Sequence, residues 1–150
     1  MGAIHESDLD ELNEEERTVV ETVARFAEEV MRPVGIRLDR LADPEQVCAP
    51  DSELFEVFRQ YRKLGVDGVS LATSELPPAR RALVQAMIHE AMGWGDAGLA
   101  VGLDVSEFPR MLALLSGNPD LIQQFGNPEV IGCWPITEPD HGSDFLLYRN

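Results

Sequence analysis

The sequence predicts an all-α fold, a bundle of about five or six helices, with the start of a β-domain at its C-terminal end. Three observations carry this. Apolar residues recur at helical spacing in one segment after another, and capping residues, Gly and Pro stand at the junctions. Only near residue 130 does that period give way to a short, continuous apolar run. The layout divides into a mobile tail over 1–12, a helical domain over 13–127, and a first strand with its following loop over 128–150, the opening of a truncated β-domain.

The first helix runs from about Asn13 to Met31. Asn13 followed by Glu16 is a capping-box start, and Glu14, Glu15 and Glu16 sit well against the positive end of the helix dipole. Val19, Val23, Phe26, Ala27 and Val30 make its apolar face. Pro33 is expected to end it, because the ring lacks an N–H and restricts the residue before it. A short helix over Gly35 to Leu41 and a loop from Ala42 to Pro50 follow. Asp51 or Ser52 caps the next helix, which buries Leu54, Val57, Phe58, Tyr61 and Leu64 and stops at Gly65. After a linker, Pro77 and Pro78 suit the first turn of a helix that carries Leu83, Val84, Met87, Ile88 and Ala91 and closes at Gly93. The apolar stretch Gly98 to Leu115 should be kinked or divided by Pro109. A last short helix covers Pro119 to Phe125, Asn127-Pro128 turns the chain, and Val130 to Ile136 reads as a strand.

Charge narrows the partners. With 27 acidic residues against 12 basic ones the net charge is -15, and no basic stripe is present. Nucleic acid and anionic membranes are excluded as partners, since both need clustered Lys and Arg to displace counterions. No apolar stretch is long enough to span a bilayer, and the N-terminus has neither the basic nor the apolar region of a secretory signal. Cys48 and Cys133 stand alone, as two reduced thiols. The expectation is a cytoplasmic protein.

Several patterns could carry chemistry. Gly93-Trp94-Gly95-Asp96-Ala97-Gly98 matches the dinucleotide fingerprint G-x-G-x-x-G, but that fingerprint has meaning only between a strand and a helix. Here a helix precedes it, so the glycines read as a helix terminus, a turn and a close crossing of backbones. His141, Ser143 and Asp144 are too close in sequence to converge as a hydrolase relay. His89-Glu90 lacks the second His of a zinc-binding helix, so no metal site is indicated, and His89 reads as a helix-surface or partly buried side chain. The segment from Cys133 to Asp144 combines an apolar strand, a Thr at its end, Pro to fix the exit, and Gly-Ser for a tight turn. Such a corner can aim N–H groups and hydroxyls at an anion, and it also serves as an ordinary exit from a strand.

The letters of that corner say more. Thr137-Glu138-Pro139-Asp140-His141-Gly142-Ser143-Asp144 resembles the T-E-P-x-x-G-S-D signature of acyl-CoA dehydrogenases. Upstream, Glu90-x-x-Gly93-x-Gly95-Asp96-Ala97-Gly98 is similar to the family's segment before its acyl-pocket helix, and Gly117-Asn118-Pro119 stands where the family turns into another helix. The likeness covers most of the chain from Asn13 and implies an N-terminal helical domain of that family.

In such enzymes a carboxylate removes the α-proton of an acyl-CoA thioester while a hydride leaves the β-carbon for the flavin. The resemblance implies FAD as cofactor, with Trp134, Ile136 and Thr137 against the flavin, Gly142 allowing close backbone approach, and Ser143 touching both the FAD pyrophosphate and the pantetheine arm of the substrate. Ala100, Val101 and Asp104 become candidates for the wall of the acyl pocket, with Asp104 turned to solvent as the plainer alternative; Glu138 serves the turn. Two departures stand out. The stretch between Phe125 and Cys133 is shorter than the family's, and the sequence given stops at Asn150, before the β-barrel and C-terminal helical domains that supply the catalytic Glu, most of the FAD site and the oligomer contacts. No catalytic residue is therefore assigned in this chain. The implied partners are an acyl-CoA substrate, an electron acceptor and further subunits, of the same or another kind. Two readings result: the first part of an FAD-dependent dehydrogenase, inactive and free of FAD by itself, or a naturally short helical subunit that docks on a partner carrying the missing domains.

Overall fold

The computed structural model describes residues 9–127 and 130–133. Its elements are α1 (Glu14–Phe26), a π-helical turn (Ala27–Met31), α2 (Arg32–Asp39), a 3-10 turn (Pro44–Cys48), α3 (Glu53–Leu64), α4 (Gly68–Ala72), α5 (Pro78–Gly95), α6 (Ala97–Ser106), α7 (Phe108–Ser116) and α8 (Pro119–Phe125). The all-α expectation holds. The segmentation is finer than expected, because α4 is a separate short helix in what reads as a linker and Pro109 does divide the long apolar stretch.

The long helix α5 lies against both α1 and α6. It buries Val84, Met87, Ile88, Ala91, Met92 and Gly95, one stripe at spacings of three and four. The core joins these to Val20, Val23, Phe26, Ala27 and Met31 from the first helix and its π turn, to Val57, Phe58 and Tyr61 from α3, and to Leu99, Ala100 and Leu103 from α6. On α1 the buried stripe is Glu16, Val20, Val23 and Phe26, so Val20 and Met31 take the places expected for Val19 and Val30, which are only partly buried. Glu16 sets this rotation. Arg80 on α5 reaches it through Nε at 3.0 Å and through Nη2, which lets a carboxylate lie among apolar neighbours. Those bonds from Arg80, then the N–H of Asn13, hold the Glu16 carboxyl below its ordinary range.

The capping box forms as expected. The Glu16 N–H donates to Asn13 Oδ1 and the Asn13 N–H to Glu16 Oε2, both at 2.9 Å. Replacing Asn13 with Ala is expected to cost about 1 kcal/mol, read as a shift of the urea midpoint at constant slope; an unchanged midpoint would show that the box is ornamental. Ser52 caps α3 and Gly65, at φ 66°, ends it in the left-handed conformation that Gly alone adopts without strain. Asn118 and Pro119 start α8, as their order suggests.

Pro33 does not end the first helix. The chain passes through the π turn, in which the Arg32 N–H donates to the Ala27 carbonyl, five residues back, and runs on into α2 with Pro33 in its first turn. A proline ring collides with the carbonyl four residues earlier and offers it no donor; a widened turn removes both problems without breaking the axis. Gly93 does not close α5 either. The helix continues to Gly95, and Asp96 is its exit and at once the N-cap of α6, accepting from the Leu99 N–H at 2.8 Å.

Among the described residues there is no strand. Residues 130–132 are instead pinned to the bundle: the Gly132 N–H donates to the Ser106 carbonyl at 3.1 Å, and Arg62 Nη2 donates to the Val130 carbonyl at 3.3 Å. The remainder of the expected strand, together with Trp134, Ile136, Thr137, Gly142 and Ser143, lies outside the described residues. No described helix is long and apolar enough to cross a membrane. Cys48 and Cys133 are exposed and unpaired with one another.

Candidate functional site

The glycine cluster is a packing device. A Cβ on Gly95 would lie 2.8 Å from the Ala27 Cβ and 2.9 Å from the Ala27 carbonyl oxygen, so α5 and the π turn meet there with no side chain between them. Next to this crossing Arg32 donates to the Trp94 carbonyl at 3.0 Å and lies 4.5 Å over the indole ring. The first glycine, Gly93, faces open space. Nothing in the cluster is shaped as a phosphate cradle, which agrees with its reading as a helix end and a backbone crossing.

The chemistry gathers on the other side of α5. Arg81, Gln85 and His89, at successive spacings of four, point into a cleft of about 370 Å³ whose other walls come from α4, from Asp104 at the end of α6, and from Phe108 and Met111 of α7. The larger groove of about 470 Å³ beside α2 and α3 has, as its charged pair, the exposed couple Arg37–Glu53.

In the cleft His89 bridges two acceptors. Its Nδ1 lies 2.7 Å from the Gln85 carbonyl and its Nε2 lies 3.0 Å from Asp104 Oδ2. A neutral imidazole carries a single N–H, so both contacts are hydrogen bonds in two states only. Either an imidazolium faces a carboxylate, or a ring protonated on Nδ1 accepts a proton-bearing Asp104. Burial pushes the Asp104 carboxyl above its ordinary range and the His89 charge works against that rise. In either of these states one proton lies between Nε2 and Oδ2, a contact across which a side chain can give or take a proton.

Below it lies a second charged group. Asp67 caps α4 by accepting from the Val69 and Ser70 N–H groups, while its Oδ1 also takes Arg110 Nη1 at 3.0 Å. Arg110 in turn contacts Glu107 Oε2 at 3.3 Å. Burial, then the charge of Asp67, raises the Glu107 carboxyl, and Arg110 pulls it back. The buried Tyr61 hydroxyl is pushed up by burial first and by Asp104, Asp67 and Glu107 after it. Among the described residues no group of acids, His and Cys is placed to hold a metal ion.

The expected pocket residues separate. Ala100 is buried in the core, Val101 is 63% exposed on the surface of α6, and Asp104 lines the cleft with His89. The polar stripe of Arg81, Gln85 and His89 escaped sequence reasoning, although its spacing of four residues is a legible signal.

Two known proteins share most of this chain. Over 138 residues it is 22% identical to the probable medium-chain specific acyl-CoA dehydrogenase 2, mitochondrial, of Caenorhabditis briggsae, covering 89% of this chain and 32% of that protein. Over 139 residues it is 30% identical to benzylmalonyl-CoA dehydrogenase of Aromatoleum aromaticum, covering 89% of this chain and 34% of that one. The similarities support the acyl-CoA dehydrogenase family. The chain spans about a third of the length of these curated relatives. No family model matches it, and no solved structure does. An oxidoreductase family and a helical architecture are thus supported together.

Proposed function

We propose that the chain is the N-terminal helical portion of an FAD-dependent acyl-CoA dehydrogenase, acting on an acyl-CoA thioester by α,β-dehydrogenation in the whole protein and inactive by itself. The observation that carries this is the match of 89% of the chain to two dehydrogenases of CoA esters from distant organisms. The motif from Thr137 to Asp144 adds to it from the sequence side.

Ala27 closes the glycine cluster at Gly95, and the proposed flavin contacts, Trp134, Ile136, Thr137, Gly142 and Ser143, lie beyond the described residues. When bound, FAD would accept the hydride from the acyl β-carbon. The part assigned here to the helical portion is to carry one wall of the acyl site on α6, with Val101 outermost and Asp104 one turn on. Exposed apolar side chains fit that part: Val101 is 63% exposed on α6, and Leu112 is 60% and Leu115 is 76% exposed on α7, the kind of surface that further protein covers.

Protein expressed from its entire natural reading frame is expected to be yellow, and an acyl-CoA thioester should bleach its flavin band under anaerobic conditions. The 150-residue chain alone should remain colourless after incubation with FAD and gel filtration. A colourless whole protein would overturn the proposal, as would a flavin that straight-chain, dicarboxylic and aryl thioesters all leave oxidised. Stoichiometric flavin on the short chain would overturn its second half.

A further inference from the structure

We propose that the cleft between α4, α5 and α7 binds a small carboxylate with an apolar body, anchored on the Arg81 guanidinium. This goes beyond the reading above, since it needs neither flavin nor coenzyme A and stands on the described residues alone.

The carboxylates that face the cleft each have a cation or imidazole beside them. Asp104 is matched by His89, and Glu107 by Arg110, with Arg62 also acting on it. Arg81 has no such match. Its Nη1 donates to the Ala72 carbonyl and its Nη2 to the Leu76 carbonyl at 3.3 Å, and no carboxylate pairs with it among the described residues. A guanidinium has five N–H donors in a fixed fork, so these two carbonyls orient it and leave donors over. The Nε–H is itself buried without an acceptor, as it is at Arg110, so an outside group is left the remaining N–H groups of Nη1 and Nη2. In a chain of net charge -15, with 27 acids available, a partly buried cation left to main-chain carbonyls marks a place where the acceptor comes from outside.

The shape agrees. The cleft of about 370 Å³ lies at the small end of the range of about 300–1,000 Å³ usual for small-molecule sites. Val69 and Ala72 on one side and Phe108 and Met111 on the other give it apolar walls, while Gln85 and His89 stand beside Arg81 along α5. A ligand entering between Phe108 and Met111 buries its apolar body against them and brings its carboxylate to Arg81. A methionine and an aromatic ring in the wall adapt to bodies of different outline.

The test uses the 150-residue chain with hexanoate as probe and hexanamide as its neutral counterpart, followed by amide chemical shifts and thermal midpoint. Hexanoate is expected to shift amides of α4, α5 and α7 around the cleft and to bind about tenfold more tightly than hexanamide, the difference between a charge-assisted and a neutral hydrogen bond. Arg81→Gln should erase that preference. Because Arg81 also ties down the ends of α4 and its loop, Met111→Trp provides a second variant that leaves every charged group in place and fills the cleft; it should abolish the shifts while the fold is retained. Equal affinity for hexanoate and hexanamide overturns the proposal, as do shifts unchanged by Met111→Trp, shifts confined to other surfaces, or no binding of either compound. None of these results bears on whether the whole protein holds flavin, so the two proposals fail separately.

Discussion

Replacing Gly95 with valine is expected to destabilise the chain by about 3 kcal/mol, the upper end for overpacking, whereas Gly93→Ala should stabilise it by about 0.5–1 kcal/mol. The two glycines belong to one fingerprint and are two residues apart, yet their surroundings are opposite. At Gly95 the added Cβ would meet the Ala27 Cβ at 2.8 Å and the Ala27 backbone at 2.9 and 3.1 Å, and backbone cannot step aside as a flexible side chain does. The π turn makes this worse, because the Ala27 carbonyl already receives the Arg32 N–H and is fixed by it. At Gly93 the new methyl finds nothing within 4 Å, and alanine narrows the unfolded ensemble while keeping the helix. Urea unfolding at constant slope reads both values. Should both variants lose stability alike, the glycines would be serving backbone conformation, and the account of a helix crossing would fail.

That pair of glycines shows where the sequence was readable. Local signals were faithful: Asn13 with Glu16, Ser52 before α3, Gly65 after it, Asn118-Pro119 at the start of α8 and Pro109 in the first turn of α7 all act within one turn of chain, where spacing alone decides the local geometry. The π turn was hidden because Pro33 normally argues for a stop, and only the packing of Ala27 on Gly95 shows what a continuing helix gains by widening instead. The face of α1 was missed by one residue for a related reason. Glu16 looks like a solvated first-turn acid until Arg80, 64 residues away, is seen to cover it.

The cleft obeys the same logic. Its members are ordinary one by one, and Asp104 taken alone reads as a solvent-facing carboxylate. Only the antiparallel passage of α5 and α6 about the Gly95–Asp96 corner brings it within 3.0 Å of His89. A cap residue explains part of that corner too. A Cβ on Gly35 would fall 2.1 Å from Asp96 Oδ2, so the glycine leaves room for the cap that starts α6 and thereby sets where Asp104 stands. The dehydrogenase-like motif and the polar cleft therefore belong to different parts of the chain: the first to residues 137–144 of the sequence, the second to α4, α5, α6 and α7 of the bundle.

Arg110→Met is expected to cost about 3 kcal/mol at neutral pH, the lower end for breaking a buried ion pair. The side chains of Asp67 and Glu107 are 8% and 11% exposed, and Arg110 is the cation in contact with both. Methionine keeps the apolar stem and removes the charge, leaving two carboxylates facing each other in a half-dry pocket. The loss should shrink on acidification. Glu107 already titrates above its ordinary range because of burial and Asp67, and removing Arg110, which opposes that rise, pushes it further. A carboxyl raised in the folded state stabilises when protonated; that contribution is fully present below the unfolded pKa and is lost as pH rises through the folded one. The gap between variant and parent should therefore narrow as the pH falls from about 7 toward about 5. Arg59→Met, at the exposed Arg59–Glu56 pair, is the control and should leave the midpoint where it is. Denaturation midpoints of the three proteins at both pH values check this: a gap that stays constant with pH would mean that Arg110 acts through packing, and that the charge account of this corner is wrong.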